Sequence, residues 1–436
     1  MFFLKRFLTE SKDVARSSRL WNMIASMLVA FQSVVLLVIM SRTVGKGIAG
    51  IYIIGNTYSN LFVAIGKFGT RSFQVSDVRR EYNFFDYRCT RVISCITMIV
   101  VSVSFIIYSF ITRGYSYYKT VTLICICLYK LPDAIEDVYH GEYQKNGRLD
   151  VAAKALALRM LFAIMCLAIS LVVTNDLLTS FIITTILTFL VMVVFIMITK
   201  GYLSQNDKTY KADRKKIGTL LLSTLPLAMV SFLTLYVNSM PRNSIDKFMS
   251  SEEQSIFGYI AMPVFVVELL VMFLLNPVYY KLSCMWNENK LKDYRLALTK
   301  FIMINIIITL VCMAGAFLLG IPVLSALYNT DLSDYKTDLM ILMVCSGMYS
   351  FAALLYSFMI IMRKQKMVLF AYIVVALGAT FASNPVVKKN GIRGASLLYL
   401  SILSLLSLIF LIEFIIAMIQ RKKMINKSSS ETKNVV

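Results

Sequence analysis

A short run of ionisable side chains interrupts a chain that is otherwise poor in charge. It comprises Lys130, Asp133, Glu136, Asp137 and His140, in the sequence KLPDAIEDVYH. On a helix, residues three, seven and ten positions apart share a face, so Lys130, Asp133, Asp137 and His140 are predicted to form one polar stripe. Charges inside a membrane are costly, and such a stripe there is a candidate functional element.

The stripe allows three interpretations. It can be a set of structural ion pairs completed by Arg159 on the next helix. It can be a gate or proton-coupling element in which a carboxylate pair takes up a proton. It can also be a metal site made by Asp133, by Glu136 or Asp137, and by His140, the only histidine. One histidine without a paired nucleophile argues against hydrolytic catalysis, so we expect no enzyme and no cofactor.

Amides and arginines form a second set of candidates. Asn56 and Asn60 follow Tyr52 at four-residue intervals, and Asn238 lies on a polar face of the seventh predicted helix. Hydrogen bonds between helices and contacts with a ligand both explain such amides. Arginines near helix ends either reach lipid head groups or bind phosphate bidentately. The predicted substrate-cavity residues are Arg42, Asn56, Asn60, Arg71, Arg159, Asn238 and Arg242.

Composition indicates the setting for these residues. The 436 residues are 58% hydrophobic and only 16% charged, and the mean hydropathy is +0.71. Soluble domains carry about 25% charged residues. We therefore predict an all-α, polytopic membrane protein. The net charge of +21 is attributed to loops facing anionic membrane lipid, and not to nucleic acid.

Long apolar runs predict about twelve transmembrane helices in two six-helix bundles. The predicted spans are residues 20–40, 47–66, 92–112, 120–140, 155–174, 178–199, 217–240, 256–280, 301–323, 338–362, 367–386 and 395–419. With the N-terminus inside, 33 of the 45 lysines and arginines fall on the inner side, which predicts that both termini are cytoplasmic.

The same pattern divides the chain into five parts. They are a cytoplasmic interfacial N-terminus (1–19), an N-terminal bundle (20–200), a cytoplasmic linker (201–216), a C-terminal bundle (217–420) and a disordered cytoplasmic tail (421–436).

Three motifs resemble those of one transporter family. They are residues 71–78 (RSFQVSDV) followed by Glu81 and Tyr82, residues 133–151 (DAIEDVYHGEYQKNGRLDV), and residues 241–247 (PRNSIDK) with Phe257 and Gly258. In these motifs the chain resembles the Wzx-like capsule and O-antigen flippases of the multidrug/oligosaccharidyl-lipid/polysaccharide superfamily. The family's motif residues carried over to this sequence are Arg71, Asp77, Asp133, Asp137, Gln144, Arg148 and Arg242.

The resemblance implies two bundles around a cavity that opens alternately to each side of a bacterial cytoplasmic membrane. The implied substrate is undecaprenyl pyrophosphate carrying an oligosaccharide repeat unit, moved to the outer leaflet during polysaccharide biosynthesis. A polysaccharide polymerase and glycosyltransferases are the further candidate partners. The sequence lacks a nucleotide-binding loop of the type G-x-x-x-x-G-K-[ST], so energy is expected from an ion gradient or from consumption of the product.

Three other functions remain open from the sequence, and one of them is scaffolding without transport, which leaves the charges inside the membrane unexplained. Another is a cation-coupled multidrug antiporter of the same superfamily, although the first predicted helix lacks the acidic residue expected to bind cations. The third is a membrane-embedded polysaccharide polymerase or acyltransferase, although no outer loop has the length expected of the polymerase.

Overall fold

The computed structural model describes residues 2–77, 81–203, 213–275 and 278–433, and every regular element among them is helical. The all-α prediction is confirmed. The first half of the chain forms α1 (Phe2–Thr9), α2 (Val14–Thr43), α3 (Lys46–Lys67), α4 (Thr70–Ser76), α5 (Phe84–Arg113), α6 (Tyr117–Tyr129), α7 (Leu131–Lys145), α8 (Leu149–Thr174) and α9 (Leu177–Thr199). The second half forms α10 (Arg214–Phe248), α11 (Ser251–Ala261), α12 (Val264–Leu275), α13 (Tyr279–Asn287), α14 (Leu291–Gly315), α15 (Ile321–Tyr328), α16 (Lys336–Ile361) and α17 (Gln365–Lys433).

Ten helical segments of the described residues are long and apolar enough to cross a membrane. The fourth predicted span is not among them, because α6 and α7 are separated at Lys130 and α7 carries several charges. The last two predicted spans form the single segment α17, which is interrupted at Gly391 by a positive φ of 58°. Glycine adopts this conformation readily because it lacks a Cβ atom. When α6 and α7 are counted together as one span and α17 is counted as two, the described residues form twelve spans, as predicted.

The chain packs into two compact units. The N-terminal unit runs to Leu235 and includes Ser250–Ser255, whereas the C-terminal unit contains Tyr236–Met249 and continues from Ile256. The division thus falls within α10, while the sequence places it in the linker 201–216, of which residues 204–212 lie outside the described residues. Packing explains the difference, because Leu220 of α10 is fully buried against Phe84 and Tyr87 of the N-terminal unit.

Helix α3 lies at the centre of the N-terminal unit. It packs against α2, α5, α6 and α7, and almost all of its residues from Ala49 to Gly66 are buried. In the C-terminal unit, α16 has the corresponding position and packs against α12, α14 and α17. The backbone of α17 remains helical to Lys433, through most of the segment for which the sequence predicts a disordered tail.

Candidate functional site

The predicted stripe divides into two ion-pair groups in the N-terminal unit. In the first, the Arg159 guanidinium of α8 contacts both carboxylate oxygens of Glu136, at 2.6 and 2.7 Å. The same guanidinium donates to Asp133 Oδ1 at 2.5 Å, and Lys130 Nζ lies 3.4 Å from Asp133 Oδ2. The Arg159 side chain is only 1% exposed. The structure therefore places Arg159 in a buried ion-pair group and not on an open surface.

The second group centres on Asp137. Its Oδ2 accepts a hydrogen bond of 2.8 Å from Arg91 of α5, and its Oδ1 lies 3.6 Å from Arg71 of α4. Arg91 also donates to the backbone carbonyl of Gly66 at the end of α3. Asp137 therefore connects α4, α5 and α7, and among the described residues its ion-pair partners differ from those of Asp133.

His140 is 4% exposed and lies within electrostatic range of three cations, Lys67, Arg71 and Arg159. In the described part of the chain, no three His, Cys, Asp or Glu side chains are grouped as metal ligands. The carboxylates near His140 are instead paired with arginine and lysine. This arrangement gives the metal interpretation of the stripe no support.

Polar contacts brace the end of α7 against the short helix α4. Arg71 donates to Gln144 Oε1 at 2.9 Å, and Gln74 donates to the buried Glu142 carboxylate at 3.0 Å. Both contacts join residues about 70 positions apart in the chain. They fix the turn after α3 relative to α7.

Asp77 organises the loop that follows α4. Its carboxylate accepts hydrogen bonds from the backbone of Glu81 and Tyr82, at 3.0 and 3.3 Å, and from the Tyr87 hydroxyl at 3.0 Å. Lys145 Nζ lies 3.3 Å away. Burial alone would raise the pKa of Asp77, but these hydrogen bonds and the Lys145 charge outweigh it and lower the pKa below the usual aspartate value.

A narrow polar stripe is one of the few accessible parts of α3. Between Ala49 and Gly66, only Asn56, Asn60 and Ile65 are not buried. The Asn60 amide donates to Asn56 Oδ1 at 3.3 Å. The partly exposed Lys67 ends the helix on the same face, eleven positions after Asn56. We refer to Asn56, Asn60 and Lys67 as the α3 stripe.

Two other polar residues near α3 are enclosed. Tyr52, predicted to share the face of the amides, is 4% exposed and stacks on Phe181 with ring centroids 6.1 Å apart. Gln32 is a buried polar residue of the first span, α2, and it donates to the Tyr129 hydroxyl at 2.6 Å. At this buried position, α2 therefore carries a neutral amide and not an acidic side chain.

The remaining predicted residues lie at the end of α2 and in the C-terminal unit. Arg42 is exposed in the last turn of α2. Asn238 Oδ1 accepts a hydrogen bond of 3.2 Å from Tyr399, and the partly exposed Arg242 lies within electrostatic range of the same tyrosine. Glu268 of α12 is also partly exposed, and no described lysine or arginine forms an ion pair with it.

Sequence reasoning missed Arg91, Gln74 and Glu142. Arg91 immediately precedes the predicted span 92–112, which predicts a loop position for it, whereas the structure buries it to 2% exposure. The sequence does indicate that a partner is missing, because the stripe and Arg159 contain more carboxylates than lysines and arginines, and a buried carboxylate requires a cationic partner. No local pattern identifies which arginine supplies it.

The fold is that of MATE transporters. A solved inward-facing multidrug resistance MATE family transporter of the MOP superfamily superposes with a TM-score of 0.68 at 14% identity, covering 93% of this chain and 99% of that one. A MATE protein in complex with MaD3S gives a TM-score of 0.61 at 14% identity, covering 97% and 99%. An outward-facing MATE transporter gives 0.55 at 12% identity, covering 96% and 98%.

Sequence comparison gives a different relative. The chain is 24% identical over 229 residues to the capsular polysaccharide biosynthesis protein CapF of Staphylococcus aureus. The match covers 51% of this chain and 56% of CapF, so the chain spans little more than half of that relative. No protein family model matches the chain.

Proposed function

We propose that this multi-pass membrane protein is an alternating-access transporter that moves a polyprenyl-pyrophosphate-linked oligosaccharide to the outer leaflet of a bacterial cytoplasmic membrane. In this proposal both termini face the cytoplasm, and the polyprenyl tail stays in lipid while the head group crosses through the protein. The head group cannot cross hydrocarbon unaided, because its sugars and phosphates would lose their hydration.

The observation that carries the proposal is the α3 stripe. A largely buried helix keeps two amides and an ammonium accessible on one face, and Arg71 follows four residues after Lys67. Amides bind sugar hydroxyls, and lysine and arginine bind phosphate. Residues facing hydrocarbon are expected to be apolar, so this face is assigned to a hydrated cavity.

Electrostatics in the same unit favour an anionic substrate. Asp133, Glu136 and Asp137 each contact lysine or arginine, and the first span carries the neutral Gln32 and no acidic residue. The similarity to CapF supports a role in polysaccharide biosynthesis, although it covers about half of each chain.

The second candidate is a cation-coupled multidrug antiporter, which the structural comparisons favour over the flippase. Solved structures of the same fold include a multidrug resistance transporter, and Glu268 in the C-terminal unit is a partly exposed carboxylate without an ion-pair partner among the described residues. A carboxylate in this environment can bind a proton or a cationic compound.

One strain can test both candidates. The gene is expressed in a bacterium that lacks its own repeat-unit flippase, and surface polysaccharide and efflux of ethidium are measured in the same cells. Restored polysaccharide without ethidium efflux is the expected result. Ethidium efflux that Glu268→Gln abolishes, with no polysaccharide at the surface, would favour the antiporter and overturn the flippase.

A further inference from the structure

Helix α1 is fixed to the N-terminal unit by the start of α8. Leu8 is fully buried against Ala155 and Ile198. Lys154 Nζ donates to the backbone carbonyls of Phe7 and Glu10, at 2.9 and 3.0 Å. Because these contacts hold the end of α1, the segment joining it to α2 has a defined shape.

This segment borders a cavity of about 500 Å³. One part of its lining is apolar and consists of Phe7, Leu20 and Trp21, with the two aromatic rings in edge contact at a centroid distance of 5.4 Å. The other part is polar and includes Lys12 and Arg16. The cavity therefore has an apolar side and a cationic side.

The two cations are available for a ligand. Lys12 and Arg16 are exposed, and neither side chain forms an ion pair with a described carboxylate. Of the two acids beside them, Glu10 is paired with Arg6 at 2.9 Å, and Asp13 accepts a hydrogen bond from the backbone of Arg16. A negatively charged group is thus the complementary ligand.

We propose that this cavity binds the head group of an anionic membrane phospholipid. Helix α2 is a candidate membrane span that begins at Val14, and Leu20 is 49% exposed on it. Its hydrocarbon-facing surface therefore starts beside the cavity. Tryptophan is enriched at the boundary between head groups and hydrocarbon. The lipid phosphate lies against Lys12 and Arg16, and its glycerol and first methylenes lie against Leu20 and Trp21.

Lipid binding to the purified full-length protein tests the proposal. Native mass spectrometry in detergent compares phosphatidylglycerol with phosphatidylcholine, for the wild type and for the double variant Lys12→Gln/Arg16→Gln. Phosphatidylglycerol is expected to bind preferentially, and the double variant to weaken its binding by about tenfold or more. Equal binding of the two lipids to the wild type would overturn the proposal.

The matched control is Lys5→Gln/Arg19→Gln, which removes the same charge from exposed residues that do not line the cavity. It should retain phosphatidylglycerol binding. Equal losses in the two double variants would indicate attraction to general positive charge and reject a defined site. Displacement of the lipid by millimolar glycerol 3-phosphate would also reject the proposal, since a soluble anion would then suffice.

Discussion

Arg159 and Glu136 form a bidentate ion pair between α8 and α7 in the interior of the N-terminal unit. Two guanidinium nitrogens contact two carboxylate oxygens at 2.6 and 2.7 Å, and Asp133 accepts from the same guanidinium. One guanidinium therefore compensates the charge of two buried carboxylates. The pair is a structural link whose removal leaves charge without compensation.

Replacement of Arg159 by Met should destabilise the protein strongly. Breaking a buried ion pair from one side costs about 3–5 kcal/mol, because the remaining charge has lost its partner. Thermal unfolding of the purified protein in detergent measures the loss. The double variant Arg159→Met/Glu136→Gln removes the bidentate pair from both sides while Asp133 keeps Lys130, and it should recover much of the stability. A single variant as stable as the wild type would contradict the structural role.

If the proposed function is right, neutralising Lys67 of the α3 stripe together with the neighbouring Arg71 should impair transport. Export is compared per molecule of inserted protein because Arg71 also holds α4 against α7. Lys67→Gln/Arg71→Gln is expected to lower polysaccharide export about tenfold or more, since each charge-assisted hydrogen bond to phosphate contributes about 1.5–3 kcal/mol. Surface polysaccharide per molecule of membrane-inserted protein is the measurement. The control is Lys422→Gln/Lys423→Gln on the exposed end of α17, which should export normally. Equal export by both variants would remove the stripe from the substrate path.

Asp77 should stabilise its loop in a pH-dependent manner. Its folded-state pKa is lowered, so its contribution is complete at neutral pH and is lost as the pH falls below about 3.9 and through the folded pKa. Asp77→Asn should therefore cost about 1–3 kcal/mol at pH 7, and the difference from the wild type should shrink only below about pH 4.

Melting temperatures between pH 7 and pH 3 provide this comparison. Glu81→Gln removes a neighbouring exposed charge but keeps the backbone donor to Asp77, and it should match the wild type. A constant difference between Asp77→Asn and the wild type over the whole range would exclude the linkage.

Lys154 should control the docking of α1. The variant Lys154→Met loses the hydrogen bonds to the carbonyls at the end of α1, so the amides of residues 2–11 should exchange faster with deuterated solvent. The exposed Lys5 of α1 provides a control, because Lys5→Met leaves those carbonyls satisfied. Unchanged exchange in Lys154→Met would show that Leu8 packing alone holds the helix.

The sequence predicts spans well because apolar length is a local property. The sequence predicts the ion-pair partners of buried charges poorly, as Asp133 and Asp137 illustrate. Helical spacing places both on one stripe, yet the structure pairs Asp133 with Arg159 and Asp137 with Arg91. The Asp137 pair joins residues 46 positions apart, and no local periodicity encodes a contact of that range.

Breaks in the helical backbone within apolar runs are a second feature that hydropathy does not predict. Pro132 lies two residues after Lys130, and the helix is interrupted at Lys130, so that α7 begins at Leu131. A proline favours such a start because it has no amide hydrogen to donate within the helix. Hydropathy alone treats residues 120–140 as one continuous span. The proline was the local signal for the break.

Helix α3 also restricts how this protein can evolve. A Cβ atom at Gly66 would lie 2.9 Å from the Cβ atom of Ala134 on α7, and because an alanine Cβ cannot rotate away, even alanine there requires the neighbouring helix to move. Variation without loss of folding is therefore confined to the few positions that face outward, notably Asn56 and Asn60. Descendants that acquire a new cargo preference are expected to differ there or on other helices, while the rest of α3 drifts slowly.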